Sequence, residues 1–88
     1  MKIKEGLILR KVGNENIVMA YDNSVISFNG VITLNDSGVF IFNNLKEDIS
    51  YEDLLNKILE EYDIDKETAS KDLDAYLSIL RKHDLMYD

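Results

Sequence analysis

Few side chains in this 88-residue sequence have the type and spacing that catalysis or metal binding requires. His83 is the only histidine, and there is no cysteine. A general base needs a nucleophile or an orienting partner, and a zinc site needs several nitrogen or sulfur ligands. Neither arrangement can be built around His83 alone. We therefore expect no catalytic residue, no bound metal and no cofactor.

Other motifs that could carry chemistry are incomplete. The run DIDKE at residues 63–67 resembles the start of a calcium-binding loop, but Thr68 stands at the sixth position, where such a loop needs glycine. Glu60 and Glu61 lie on the polar edge of a predicted helix, where paired acids are usually solvated. The four glycines are scattered and form no phosphate-binding loop. The sequence therefore favours a binding protein over an enzyme.

A mixed set of side chains on the last predicted helix suits binding. Four residues at the spacing i, i+4, i+7 and i+11 share one flank: Asp72, Tyr76, Ile79 and His83. The neighbouring face is wholly apolar and predicts core residues: Ala69, Leu73, Leu77 and Leu80. A half-apolar flank beside a core face suits the wall of a groove. The alternative is that Tyr76 and Ile79 only cover the edge of the core.

Two strand-like runs begin the chain. Residues 6–12 (GLILRKV) and 15–21 (ENIVMAY) are rich in β-branched side chains. The two residues between them, Gly13 and Asn14, tolerate the backbone angles of a tight hairpin turn. These runs predict an antiparallel pair of strands.

A third strand is predicted at Gly30–Leu34, directly before a helix. Asn29-Gly30 is a second turn signal. It either closes a short hairpin with Val25–Phe28 or ends a loop or bulge before a single third strand.

Three helices are predicted after this strand. The first runs from about Asp36 to Lys46, with a cap at Asn35 or Asp36 and apolar residues over most of its surface. The second begins at Ser50, whose hydroxyl can accept a free backbone N–H. The third begins at Asp65, with Glu67 near the positive end of the helix dipole. The apolar tail at residues 85–87 is expected to pack back on the core.

Charge is distributed unevenly along the chain. Residues 1–46 carry five basic and four acidic side chains, whereas residues 47–88 carry five basic and thirteen acidic ones. A negative helical half repels phosphate, which argues against DNA, RNA or an anionic membrane as the main partner.

Length and composition predict one globular domain spanning residues 1–88. No signal peptide is recognisable, and no apolar run approaches the roughly 18 residues that a membrane span needs. The lack of cysteine also suits a reducing compartment. We therefore expect a cytoplasmic protein.

The order and spacing of these segments resemble the PqqD-like family, whose members are RiPP recognition elements, also described as peptide chaperones. Two stretches carry the resemblance, FNGVITLNDSGVFIFNNL and SYEDLLNKILEEYDIDKETASKDLDAYLSILRKHDLM. Each marker is common alone, and their order and spacing make them specific. The markers are Leu34-Asn35, Gly38, Tyr62-Asp63, Asp72-Leu73, Tyr76-Leu77 and Leu80.

The resemblance implies an α+β, winged-helix-like fold, with a three-stranded antiparallel β-sheet followed by three α-helices. It implies a non-catalytic subunit that binds the leader of a ribosomally synthesised precursor peptide and presents it to a modifying enzyme, often a radical SAM protein. The family adds the leader as a strand to its third strand, with its third helix as the other wall. In this chain the implied peptide-binding residues are Gly30, Val31, Ile32, Thr33, Leu34, Asp72, Tyr76, Ile79 and His83.

Two other functions share parts of this pattern. A winged-helix DNA-binding regulator has the same topology, but its recognition helix should carry a basic stripe, which the third helix lacks. The other alternative is a generic protein-interaction adaptor. One departure from the family is Asp84, where glycine is expected at the helix end. An open strand edge can also pair with itself, so a monomer and a strand-edge dimer both remain open.

Overall fold

The computed structural model describes residues 1–20 and 30–88. The segment at residues 22–28, including the alternative hairpin strand Val25–Phe28, lies outside the described residues. The elements follow in the order β1 (Lys2–Ile3), β2 (Leu7–Val12), β3 (Glu15–Ala20), β4 (Val31–Leu34), α1 (Asp36–Asn44), α2 (Tyr51–Glu61), α3 (Lys66–Lys82) and β5 (Met86–Tyr87).

The main sheet contains β2, β3 and β4 in that order, with both pairings antiparallel. A two-residue turn at Gly13-Asn14 connects β2 to β3. Gly13 has a φ angle of +63°, which suits the first central position of a type II′ turn, where glycine is favoured. The predicted three-stranded antiparallel sheet followed by three helices is confirmed.

Each helix begins with a side-chain cap, at Asn35 and Ser50 as the sequence predicts and at Asp65, where the sequence predicts the start of the helix. The Asn35 side chain accepts from the Gly38 N–H at 2.9 Å, and the Ser50 hydroxyl accepts from the N–H of residue 53 at 3.1 Å. Asp65 accepts from the Thr68 N–H at 2.8 Å, and hydrogen bonds from the Thr68 side chain and backbone lower the pKa of Asp65. These bonds satisfy N–H groups that have no partner within the helix.

The core lies between the inner face of the main sheet and the three helices. The predicted apolar face of α3 is fully buried, since Ala69, Leu73, Leu77 and Leu80 are at most 1% exposed. The sheet contributes Val18 and Leu34 to this cluster, and the first two helices contribute Ile41, Phe42, Leu54, Leu55 and Ile58. None of the helices in the described ranges is long and apolar enough to cross a membrane.

A second, two-stranded sheet joins the beginning of the chain to its end, and the sequence does not predict it. β1 pairs antiparallel with β5, with Ile3 opposite Met86. The Ile3 N–H also donates to the Leu45 carbonyl at 2.8 Å, just beyond α1. Leu85 is fully buried and Met86 is 5% exposed, which confirms that the tail packs on the core.

The chain leaves α3 through a left-handed residue. Asp84 has a φ angle of +56°. The Leu85 N–H donates to the Leu80 carbonyl at 2.9 Å, and the Asp84 N–H donates to the Arg81 carbonyl at 3.0 Å. These two bonds form a Schellman motif, in which glycine normally occupies the left-handed position. Asp84 therefore occupies a backbone position that usually favours glycine.

Candidate functional site

The candidate site is the outer edge of β4, which ends the main sheet. β3 lies on one side of β4, and no strand in the described part of the chain lies on the other. Such an edge presents backbone N–H and C=O groups that another chain can pair with.

The register identifies which groups point outward. Val12 and Glu15 flank a two-residue turn, so they form a hydrogen-bonded pair, and such pairs alternate with non-hydrogen-bonded pairs along an antiparallel ladder. The odd-numbered residues of β3 therefore bond to β2, and the even-numbered ones bond to β4. Val18 and Asn16 are the β3 partners of Ile32 and Leu34. The backbone groups of Val31 and Thr33 consequently point away from the sheet.

The two faces of β4 differ in burial. Leu34 is 6% exposed and belongs to the core, and Ile32 packs partly against it. Val31 is 59% exposed and lies on the opposite face, since side chains alternate along a strand. A peptide added to this edge would likewise direct alternate side chains to the two faces.

A groove runs between the end of β4, the beginning of α1 and one flank of α3. Its volume is about 290 Å³, close to the lower limit for small-molecule pockets. The groove is lined by Thr33, Leu34, Asn35, Ser37, Gly38, Ile41, Asp72, Ala75, Tyr76 and Ile79.

The lining of this groove is mixed, with polar and apolar side chains in similar numbers. Asp72 is the only carboxylate among the lining residues, it is exposed, and it forms no salt bridge with a described residue. Ile79 is 43% exposed and offers an apolar surface beside the core. The groove can therefore accept an apolar side chain near Ala75 and Ile79 and a positive group at Asp72.

Tyr76 stands between the groove and the core. It is 9% exposed, and its hydroxyl is buried without a hydrogen-bond partner among the described residues. Burial raises the pKa of this hydroxyl well above its usual range. An unpaired buried hydroxyl is unfavourable, so a ligand that donates to it or accepts from it would gain affinity.

Gly38 lets α1 approach the end of β4 closely. A Cβ atom at this position would lie 3.2 Å from the Leu34 Cβ and 3.3 Å from the Asn35 Oδ1. A side chain here would push the first turn of α1 away from the strand. Glycine therefore shapes the part of the groove that α1 contributes.

The structure brings together some of the predicted site residues around the groove and not others. Five of them line it: Thr33, Leu34, Asp72, Tyr76 and Ile79. Gly30, Val31 and Ile32 do not line it, although the backbone of Val31 belongs to the same open edge. His83 is exposed and caps the end of α3 outside the groove.

The sequence reasoning missed five lining residues: Asn35, Ser37, Gly38, Ile41 and Ala75. Ala75 could have been found, because it lies three residues after Asp72 and four before Ile79, on the same helical stripe. The α1 residues have no such signal, because their position depends on how α1 packs against the strand.

A larger hollow of about 700 Å³ lies beside α2. Its lining is almost wholly polar, with Lys46, Lys57, Asp53 and Glu60 among the charged residues. It offers no open strand edge and no unpaired buried group among the described residues. The groove beside β4 is therefore the stronger candidate for a peptide. The described residues also contain no cluster of acidic or histidine side chains that could hold a metal ion.

Comparisons with known proteins agree with this reading of the fold. The family model for coenzyme PQQ synthesis protein D (PqqD) matches residues 15–86. The solved structure of TbiB1 in complex with the TbiA(beta) leader peptide has the same fold, with a TM-score of 0.75 and 23% sequence identity. The similarity covers 100% of this chain and 99% of that chain. A comparison with curated protein sequences gives no match.

Proposed function

The chain belongs to the PqqD family, and on that premise we propose that it recognises the leader of a ribosomally synthesised precursor peptide. The observation that carries the proposal is the open edge of β4 beside a groove with both apolar and polar side chains. TbiB1, which shares the fold, was solved with a leader peptide.

In this mechanism the leader adds as a strand to β4. The N–H and C=O groups of Val31 and Thr33 supply hydrogen bonds that do not depend on the peptide sequence. Peptide residues opposite Ile32 and Leu34 point to the side of the sheet on which α3 lies, because paired residues share a face. Their side chains enter the groove and provide selectivity.

The groove residues suggest what the leader carries. Ala75 and Ile79 offer contact to an apolar side chain. The Asp72 carboxylate, which forms no salt bridge with a described residue, favours a lysine or arginine nearby. The Tyr76 hydroxyl offers one further hydrogen bond at the boundary of the core. The proposed leader is therefore an extended segment with an apolar anchor and a basic residue.

We infer that the domain, residues 1–88, performs no catalysis and presents the bound leader to a modifying enzyme, such as a radical SAM protein. A cytoplasmic location follows from the partner, because precursor peptides are made by ribosomes. A dimer formed through β4 would use the same backbone groups as the leader, so dimerisation and peptide binding would compete.

A titration of isotope-labelled protein with the cognate leader tests the site. To find the leader, we would look for a short precursor-peptide gene beside the gene for this chain and use the leader segment of its product. Thr33→Pro removes one outward N–H, which an edge strand tolerates, and should weaken binding by about tenfold or more.

Lys11→Pro is the matched control for this substitution. By the same alternation, the Lys11 N–H points outward from the other edge of the sheet, on β2. This variant should bind the leader like the wild type. Chemical shift changes confined to α2, with β4 and α3 unmoved, would contradict the proposed site.

A further inference from the structure

The outer face of the main sheet carries an apolar row that ends at the open edge. Ile8 pairs with Met19, and Met19 pairs with Val31, so the three side chains lie side by side on one face. None of them belongs to the core cluster or packs against it. The adjacent row, which contains Val18, faces the core instead. The row Ile8–Met19–Val31 therefore lies on the face opposite the core.

Val31 is the outermost member of this row. It is 59% exposed, one of the highest values among the large hydrophobic residues described. Its backbone groups point outward, so a strand added to β4 would place one residue in a hydrogen-bonded pair with Val31. The side chain of that residue would lie on the outer face, directly beside the Val31 side chain.

We propose that the row Ile8–Met19–Val31 is a second recognition surface for the leader, which places an apolar side chain opposite Val31. This inference rests on the proposed function. The protein then contacts side chains on both faces of the bound leader. One leader residue enters the groove, and the adjacent residue lies on the row. The row of side chains thus runs across β2, β3 and β4, and the apolar side chain of the leader would extend it by one residue.

The probe for the test is a peptide selected from a displayed library of random extended peptides on the intact chain. The consensus peptide is synthesised, and its affinity is measured for the wild type and the variants. Val31→Thr keeps the shape and the β-propensity of the side chain but removes one methyl contact. It should raise Kd about two- to fivefold, the usual size of a cross-strand side-chain contribution.

Val12→Thr is the matched control. Val12 is 58% exposed on the same outer face, but it lies beside the hairpin turn on β2, at the far edge of the sheet. This variant should leave Kd unchanged. Serine substitutions along the peptide should reveal one position whose effect disappears in Val31→Thr. The residues that lie toward the Leu34 end of β4 and face α3 should respond instead to Ile79→Ala.

Three outcomes would overturn the inference, and they are distinguishable. Equal affinities for Val31→Thr and Val12→Thr, with binding still lost in Thr33→Pro, would refute the second surface and leave the proposed function intact. Self-association that Val31→Thr abolishes without changing peptide affinity would assign the row to a second copy of the chain. Failure to select any peptide, or selection of peptides that ignore Thr33→Pro, would remove the proposed function and the inference together.

Discussion

Replacing Tyr76 by phenylalanine should stabilise the free protein. The hydroxyl is buried and has no partner among the described residues, so it has lost its hydration without compensation. An unsatisfied buried group of this kind costs about 1–3 kcal/mol. Tyr76→Phe removes the group and keeps the ring that fills the core, so we expect the free energy of unfolding to rise by about 1 kcal/mol. For 88 residues this corresponds to an increase in Tm of about 5 °C.

The same variant should change the dependence of stability on pH. Burial raises the pKa of Tyr76, so the folded protein keeps the phenol neutral while the unfolded chain ionises near its usual pKa of about 10. Below about pH 10 the phenol is neutral in both states, and its titration does not affect the free energy of unfolding. Above about pH 10 only the unfolded chain ionises, so the free energy of unfolding falls as the pH rises. At pH 11 the wild type should have lost about 1.4 kcal/mol more than Tyr76→Phe, relative to pH 8.

Urea denaturation of both proteins at pH 8 and pH 11 measures both effects. Tyr51→Phe serves as the control at pH 8, because the Tyr51 hydroxyl donates to Asp74 at 2.7 Å and its removal should not stabilise. A loss of stability in Tyr76→Phe at pH 8 would show that the hydroxyl has a partner. If the difference in free energy of unfolding between the two proteins were the same at both pH values, water would reach the Tyr76 hydroxyl.

Three further predictions test other parts of the structure. Asp84→Gly should have a free energy of unfolding about 1 kcal/mol higher than Asp84→Ala, because only glycine accepts the left-handed conformation without strain. Both variants lose the ion pair with Lys4, so the comparison isolates the backbone effect. Parallel urea titrations measure the difference, and equal stabilities would contradict the left-handed backbone at this position. Asp72→Asn should weaken leader binding and reduce the dependence of the affinity on salt. Asp63→Asn changes an exposed acid outside the groove and should alter neither property. Calorimetry at two salt concentrations measures both variants, and an equal dependence of affinity on salt would exclude a basic contact at Asp72. Duplex DNA should not bind at physiological salt, because residues 47–88 carry an excess of acid; a salt-sensitive gel shift at sub-micromolar protein would refute this.

Much of the fold could be predicted from the sequence because its signals are local. The caps at Asn35, Ser50 and Asp65 depend on side chains within three residues of the N–H groups they accept. The core face of α3 follows from its helical spacing alone. α1 was predicted to reach about Lys46 but ends at Asn44, with Leu45 as its C-cap; the Leu45 N–H donates to the carbonyls of residues 41 and 42.

The parts that were not predicted depend on distant contacts. β1 and β5 contain only two residues each, and their pairing joins residues 2 and 87, so neither run has a pattern of its own. The position of Val31 on the outer face follows from its pairing with Met19, which helical and strand periodicity do not specify. The strand and the helix that border the candidate groove could therefore be predicted, while the α1 contribution to its lining required the folded chain.

The pairing of β1 with β5 has a consequence for the order of folding. Closing a loop across nearly the whole chain is entropically costly, so this contact should form late, after the β2–β3 hairpin and the packing of α3 have brought the two ends together. During synthesis β1 emerges well before its partner strand β5. Until then Ile3 lacks its β5 partner, and this part of the fold cannot be completed before Met86 has left the ribosome.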